Sequence, residues 1–168
     1  DEFFQENIGT SENFNYPVDH TQSKSAFDHF LKEKFELFGA YEDAISKDEH
    51  TLFHSILTPY LNIGLITPKE IIEKVIDYTK MNKIPLNSVE GFLRQIIGWR
   101  EFIRGVYTTD GVKQRTKNYW GFKKNVPKAF YDASTNLTPV DNTISRCLKY
   151  GYSHHIERLM ILGNIMIL

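Results

Sequence analysis

Phe92, Ile96, Trp99, Ile103 and Val106 follow one another at spacings of 4, 3, 4 and 3 residues, a pattern that an α-helix turns into one continuous apolar stripe. A strand would instead put successive side chains on opposite faces. Asn87-Ser88-Val89-Glu90, just upstream, reads as a capping signature in which the cap side chain and, three residues on, a carboxylate satisfy the first free N–H groups. Thr67-Pro68-Lys69-Glu70 repeats that signature and is followed by Ile71, Ile72, Val75 and Ile76, which predicts a helix to about Met81. Earlier in the chain, Phe27, Phe30, Leu31, Phe35 and Phe38 predict a helix from Ser23 to a stop at Gly39. Thr58-Pro59 predicts a short helix with Pro in its first turn. Residues 141–150 predict another helix, ended by Gly151, and a further one runs from Ser153 through His154, His155 and Arg158.

No segment sustains the alternation of a strand, with Phe3-Phe4 and Tyr131 the ambiguous places, so the expected fold class is all-α. Residues 1–22 read as an irregular lead-in and 23–168 as a helical domain. Residues 108–138, with Asp110-Gly111, Trp120-Gly121 and Pro127, read as a long turn-rich excursion. The chain opens at Asp1 and stops in an apolar run from Leu159 to Leu168 that lacks closing residues, which leads us to expect a fragment. The single Cys147 excludes an internal disulfide and a Cys-only metal site. No run of eighteen apolar residues occurs, and the first six residues are acidic where a secretory signal is basic, so the expectation is a soluble cytoplasmic protein without a membrane partner.

The net charge of −1 conceals a division. Residues 1–50 hold twelve acids and four bases, whereas residues 94–128 hold nine bases against Glu101 and Asp110. Trp99, Tyr107, Tyr119, Trp120 and Phe122 lie among those bases. Cations and flat rings together suit a phosphate backbone with stacked or extruded bases; the competing reading puts the cations on a solvated face and the rings in a core.

Glycine-rich nucleotide loops and zinc-protease helices are absent. For an anion there remains His54-Ser55-Ile56-Leu57-Thr58-Pro59, where free N–H groups and two hydroxyls converge at a helix start, unless those hydroxyls merely cap it. His154 and His155 stand adjacent, with Arg158 one turn on. Neighbours on a helix diverge by about 100°, which argues against a shared metal and leaves either a proton-transfer imidazole or two structural histidines. Gln95, Arg100 and Arg104 set polar groups beside the stripe that holds Trp99, which otherwise reads as a core residue next to a structural ion pair.

The order of four stretches resembles the photolyase/cryptochrome superfamily, and within it the prokaryotic (6-4) photolyase branch. They are Phe38-Gly39-Ala40-Tyr41-Glu42-Asp43; His54-Ser55-Ile56-Leu57-Thr58-Pro59-Tyr60-Leu61; Asn87-Ser88-Val89-Glu90-Gly91-Phe92 running on to Trp99-Arg100-Glu101-Phe102; and Gly151-Tyr152-Ser153-His154-His155. The resemblance covers about residues 14–168 and implies the first part of a helical FAD-binding domain, without the antenna domain and the C-terminal helices. It implies that Tyr41, Ser55, Ile56, Leu57 and Thr58 hold the flavin phosphates, and that Arg100 and Arg104 lie near the cofactor. Arg158 would approach the isoalloxazine ring, with Tyr152, His154 and His155 lining the cavity above it.

The implied activity is light-driven repair of (6-4) photoproducts in UV-damaged DNA. His155 would be the proton donor, His154 its neighbour in the catalytic cavity, and Gln95 and Trp99 would touch the extruded bases. The alternative within the superfamily is a blue-light photoreceptor that does not repair. The whole protein is expected to be a monomer with an antenna chromophore, and the fragment by itself inactive. The branch places its first iron-sulfur Cys about fifteen residues before the His pair, where this sequence has Pro139; Cys147 is eight residues out of register, so a 4Fe-4S ligand is not expected here.

Overall fold

The computed structural model describes residues 10–12 and 14–167, so the Phe3-Phe4 pair and Leu168 lie outside the described residues. Every regular element among them is helical, and the fold is all-α: α1 His20–Glu33, α2 Phe35–Tyr41, α3 Thr58–Asn62, α4 Pro68–Met81, α5 Leu86–Thr116, α6 Ala129–Asp132, α7 Thr138–Tyr150, a π-helical segment Glu157–Gly163, and α8 Asn164–Ile167. The chain divides into two compact units. One comprises Pro17–Glu42 and Ser55–Lys124; the other comprises the described residues of Asp1–Tyr16, Asp43–His54 and Asn125–Leu168.

The first unit holds α1 to α5 around a cluster of phenylalanines. Phe92 of α5 meets Phe30, Phe35 and Phe38 with ring centroids 5.0, 5.6 and 5.6 Å away. Two boundaries differ from the sequence expectation here. α1 begins at His20, ahead of Ser23, because the Asp19 carboxylate accepts the Gln22 N–H at 2.7 Å as an N-cap. The expected single helix to Gly39 is interrupted at Lys34, whose φ of −126° resets the helical phase before α2.

Gly39 does not end a helix; it lies within α2 at a close approach to α5. A Cβ built there would stand 2.5 Å from both the Asn87 carbonyl carbon and the Ser88 nitrogen. Ser88, expected in a cap, is instead buried, accepting the Gly39 N–H and donating to the Glu36 carbonyl, both at 2.9 Å. α5 starts two residues earlier than that box implied, behind Pro85 and without a side-chain cap. Because the obstruction is backbone and not the tip of a flexible side chain, Gly39→Ala is expected to lower stability by about 1–3 kcal/mol. A urea midpoint indistinguishable from wild type would show that the two helices separate without cost.

α4 forms as read: Thr67 Oγ1 accepts the Glu70 N–H at 3.3 Å, and Glu70 Oε2 accepts the Thr67 N–H at 2.8 Å. α5 runs 31 residues and takes in Asp110-Gly111, which sequence assigned to a loop. A helical glycine costs only about 1 kcal/mol, too little to stop a helix this long. The hydroxyls of Thr108, Thr109 and Thr116 donate to carbonyls four residues back, which satisfies these polar side chains inside the helix where a turn was expected.

The second unit is built around polar groups. α7 starts at Thr138 with Pro139 in its first turn and ends at Gly151, whose φ of +61° is the left-handed conformation a glycine adopts without strain. Arg146 on α7 donates to the buried Glu157 carboxylate and to the carbonyls of Ser46 and Lys47, tying the π-helical segment and the 43–54 loop to one guanidinium. Ser153 Oγ donates to the other Glu157 oxygen at 3.0 Å. The Tyr16 hydroxyl donates to the Tyr150 carbonyl at 3.3 Å.

Candidate functional site

In the first unit, residues 55–58 enter α3 without any side-chain cap. The expected capping by the Ser55 or Thr58 hydroxyl is therefore not seen among the described residues. Ile56 sits between them at φ +54°, in the left-handed region where a β-branched residue is strained by about 1–3 kcal/mol. The turn thus sets a strained backbone residue between two hydroxyl side chains that do not cap α3. α3 is only five residues long, so the turn's own N–H groups and hydroxyls are the donors there, more than a helix dipole. Tyr60 closes the turn by donating to the Ser55 carbonyl at 3.4 Å, and burial pushes its phenol up to about 12.

The same unit carries Tyr41 at the end of α2 and Gln95, Trp99, Arg100 and Arg104 on α5. Arg100 is half-buried, makes no ion pair among the described residues, and donates to the Ile96 carbonyl at 3.4 Å. Burial lowers its guanidinium below the ordinary value. That disposes of the structural-ion-pair reading of Arg100. Arg104 instead pairs with Glu101 at 2.7 Å on the surface, each lowering or raising the other in the sense an ion pair requires. Gln95 donates to Glu42 at 2.8 Å.

Trp99 is 60% exposed and stacks on Phe102 with centroids 5.9 Å apart, so it is not the core residue that its place in the stripe implied. The stripe is buried only at Phe92 and Ile96. Tyr107, Tyr119, Trp120 and Phe122 are exposed as well. Asn118 folds residues 118–122 into a turn through both its amide groups, presenting Trp120 and Phe122 stacked at 6.3 Å among exposed lysines. The rings among the cations are thus surface features of this unit.

In the second unit, His154 and His155 converge on His54. His154 lies outside the helical turn that starts at His155, so the 100° divergence expected of helical neighbours does not separate the two rings. The rings of His54 and His154 stack with centroids 4.9 Å apart, and His155 stands edge-on to His54 at 5.4 Å. His155 Nε2 is 3.2 Å from Asp43 Oδ1. His54 Nδ1 is 3.2 Å from the Thr51 carbonyl, which can only accept.

His154 is 1% exposed, and neither of its ring nitrogens has a hydrogen-bond partner among the described residues. Burial, opposed by Glu157 and assisted by His155 and the two arginines, lowers its pKa, so the ring is neutral at neutral pH. Tyr152 is raised above the ordinary phenol value, chiefly by burial, while Arg158 is exposed. Sequence reasoning singled out His154 and His155 but gave no role to Asp43, His54, Arg146 or Glu157. The bases of that omission are long separations in sequence, such as the 112 residues between Asp43 and His155.

No family model matches the chain. Over 165 residues, 98% of the chain, it is 35% identical to a (6-4) photolyase of Agrobacterium fabrum. Over 114 residues, 67% of the chain, it is 46% identical to an uncharacterized protein of Acanthamoeba polyphaga mimivirus, and that match takes in 87% of the relative. The chain is all-helical among the described residues and similar over nearly its whole length to a (6-4) photolyase. It spans about a third of the length of the bacterial photolyase, 32%. No helix among the described residues is long and apolar enough to cross a membrane.

Proposed function

We propose that the chain is part of an FAD-dependent protein that repairs (6-4) pyrimidine–pyrimidone photoproducts in DNA with light. The observation that carries this reading is the match of nearly the whole chain to a (6-4) photolyase. The residues present fit the cofactor's anionic end: two hydroxyls not spent on capping, a strained turn, and a half-buried guanidinium without an acid. In this reading Ser55, Ile56, Leu57 and Thr58, with Tyr41 and Arg100, hold the phosphates. Arg104, committed to Glu101, contributes charge more than a contact. FAD, when bound, supplies the light-excited electron donor.

Tyr152 and Arg158 face the flavin ring system in this proposal. His155, half-buried and oriented by Asp43, donates a proton to the lesion, and His154 stays a neutral buried ring behind it. Trp99 and Gln95 meet the extruded bases, for which an exposed indole is better placed than a core one. The exposed cations of residues 113–128 meet the phosphate backbone, which makes DNA binding steeply salt-dependent. We assign no iron-sulfur ligand to this chain, since Pro139 occupies the first turn of α7.

The test uses the whole natural protein and an oligonucleotide carrying one (6-4) lesion. Illumination is expected to restore the pyrimidines, and His155→Ala to slow repair about 100-fold with flavin content unchanged, the low end for a general acid because water reaches a half-exposed site. Flavin that photoreduces without lesion turnover would favour the photoreceptor reading instead. A colourless protein that releases no flavin on denaturation would overturn both.

A further inference from the structure

The imidazoles of His54, His154 and His155 each offer a ring nitrogen, and these nitrogens all lie within 4.8 Å of one another. We propose that these three rings form a binding site for one borderline divalent transition ion, Zn2+ or a chemical substitute such as Co2+. Three imidazoles suit such ions, whereas Mg2+ and Ca2+ take oxygen ligands. A tetrahedral ion with Zn–N bonds of about 2.0–2.1 Å holds its nitrogens about 3.3 Å apart, so the rings must draw together by up to about 1.5 Å. Two of them are only partly buried, and His54 is carried on a loop, so that contraction needs side-chain rotation and no change of helix.

The surroundings of the rings favour an ion over a merely packed cluster. A ligating histidine characteristically donates its other N–H to a carboxylate or a backbone carbonyl, which fixes the tautomer and aims the lone pair. His155 has Asp43 at 3.2 Å from Nε2, which makes Nδ1 the lone-pair atom. His54 has the Thr51 carbonyl at 3.2 Å from Nδ1, which makes Nε2 the lone-pair atom. His154, 1% exposed with both nitrogens lacking hydrogen bonds, is a buried polar group that otherwise costs free energy, and Glu157 Oε2 stands 3.9 Å from its Nε2. Among the described residues, the charged groups that act on the rings include Asp43, Glu157, Arg146 and Arg158. Arg146 neutralises Glu157, which leaves the Asp43 carboxylate facing the cluster.

Three protein ligands leave a fourth tetrahedral position for water. The site does not depend on the flavin reading, though an ion held through His155 removes that ring from proton transfer and would inhibit repair. The test is titration of the whole chain with Zn2+ against a chromophoric chelator, and with Co2+ followed by its visible d–d bands. One equivalent is expected to bind with intense, tetrahedral-type Co2+ absorption. His54→Gln and His155→Gln should each weaken binding at least about 10-fold, and Asp43→Asn, which keeps all three ligands, by about 10-fold as an outer partner. Helicity by circular dichroism confirms that the variants fold. Binding that is weaker than millimolar, or equally strong in both histidine variants, would overturn the site whether or not the protein carries flavin.

Discussion

Arg146→Met is expected to destabilise the protein by about 3–5 kcal/mol, a large share of a typical folding free energy of about 5–15 kcal/mol. The guanidinium is the principal counter-charge of Glu157, whose side chain is 2% exposed. Removing it leaves a carboxylate in the interior with, among the described residues, only Ser153 donating to it. It also strips the donor from the Ser46 and Lys47 carbonyls, so the loop that brings Asp43 and His54 to the histidine cluster loses its anchor. Equilibrium urea denaturation measures the loss. The double variant Arg146→Met/Glu157→Met separates causes: with both charges gone the desolvation penalty disappears, and stability should recover part of the way. It should not recover fully, because the two loop carbonyls stay without their donor. A single-variant loss below about 1 kcal/mol would mean that water reaches Glu157 and that the pair does not organise this unit.

Local chemistry was the legible part of the sequence. The Thr67–Glu70 box, the proline in the first turn of α3 and the glycine after α7 each act within four residues, and each appears where the pattern put it. The interruption at Lys34 and the run of α5 through Gly111 were not legible, because helical periodicity reports a favourable phase and says little about where tertiary contacts make a helix stop. Gly39 and Ser88 show the same limit. A glycine and a serine have strong local meanings, a stop and a cap, but here the packing of α2 against α5 uses their small size and hydroxyl instead. In the candidate site, the adjacent His154 and His155 could be noticed because they are adjacent. His54 could not be joined to them, since the rings meet across about a hundred residues and no spacing rule spans that distance. Helical neighbours do diverge by about 100°, but the helix begins at His155, so that divergence does not apply to the His154–His155 pair.

The stripe on α5 gives the sharpest test of that difference between periodicity and burial, through two aromatic residues seven apart on one face. Phe92 is 2% exposed and touches Phe27, Phe30, Phe35 and Phe38, from both α1 and α2. Phe92→Ala removes the ring on which the other four converge, and rings already packed on one another cannot all collapse into the space. The expected loss is about 3–5 kcal/mol, transfer and cavity together. Trp99→Ala deletes a larger side chain from the same stripe, yet its ring is mostly in water and gains little from folding, so the expected loss is within about 0.5 kcal/mol. Chemical denaturation of the two variants side by side reads the contrast directly. If Trp99→Ala cost as much as Phe92→Ala, the indole would be a core group and no longer available for the bases that the proposed function assigns to it. If Phe92→Ala cost little, the phenylalanine cluster would not be what holds α1, α2 and α5 together, and the position of the residues 55–58 turn on that unit would need another support.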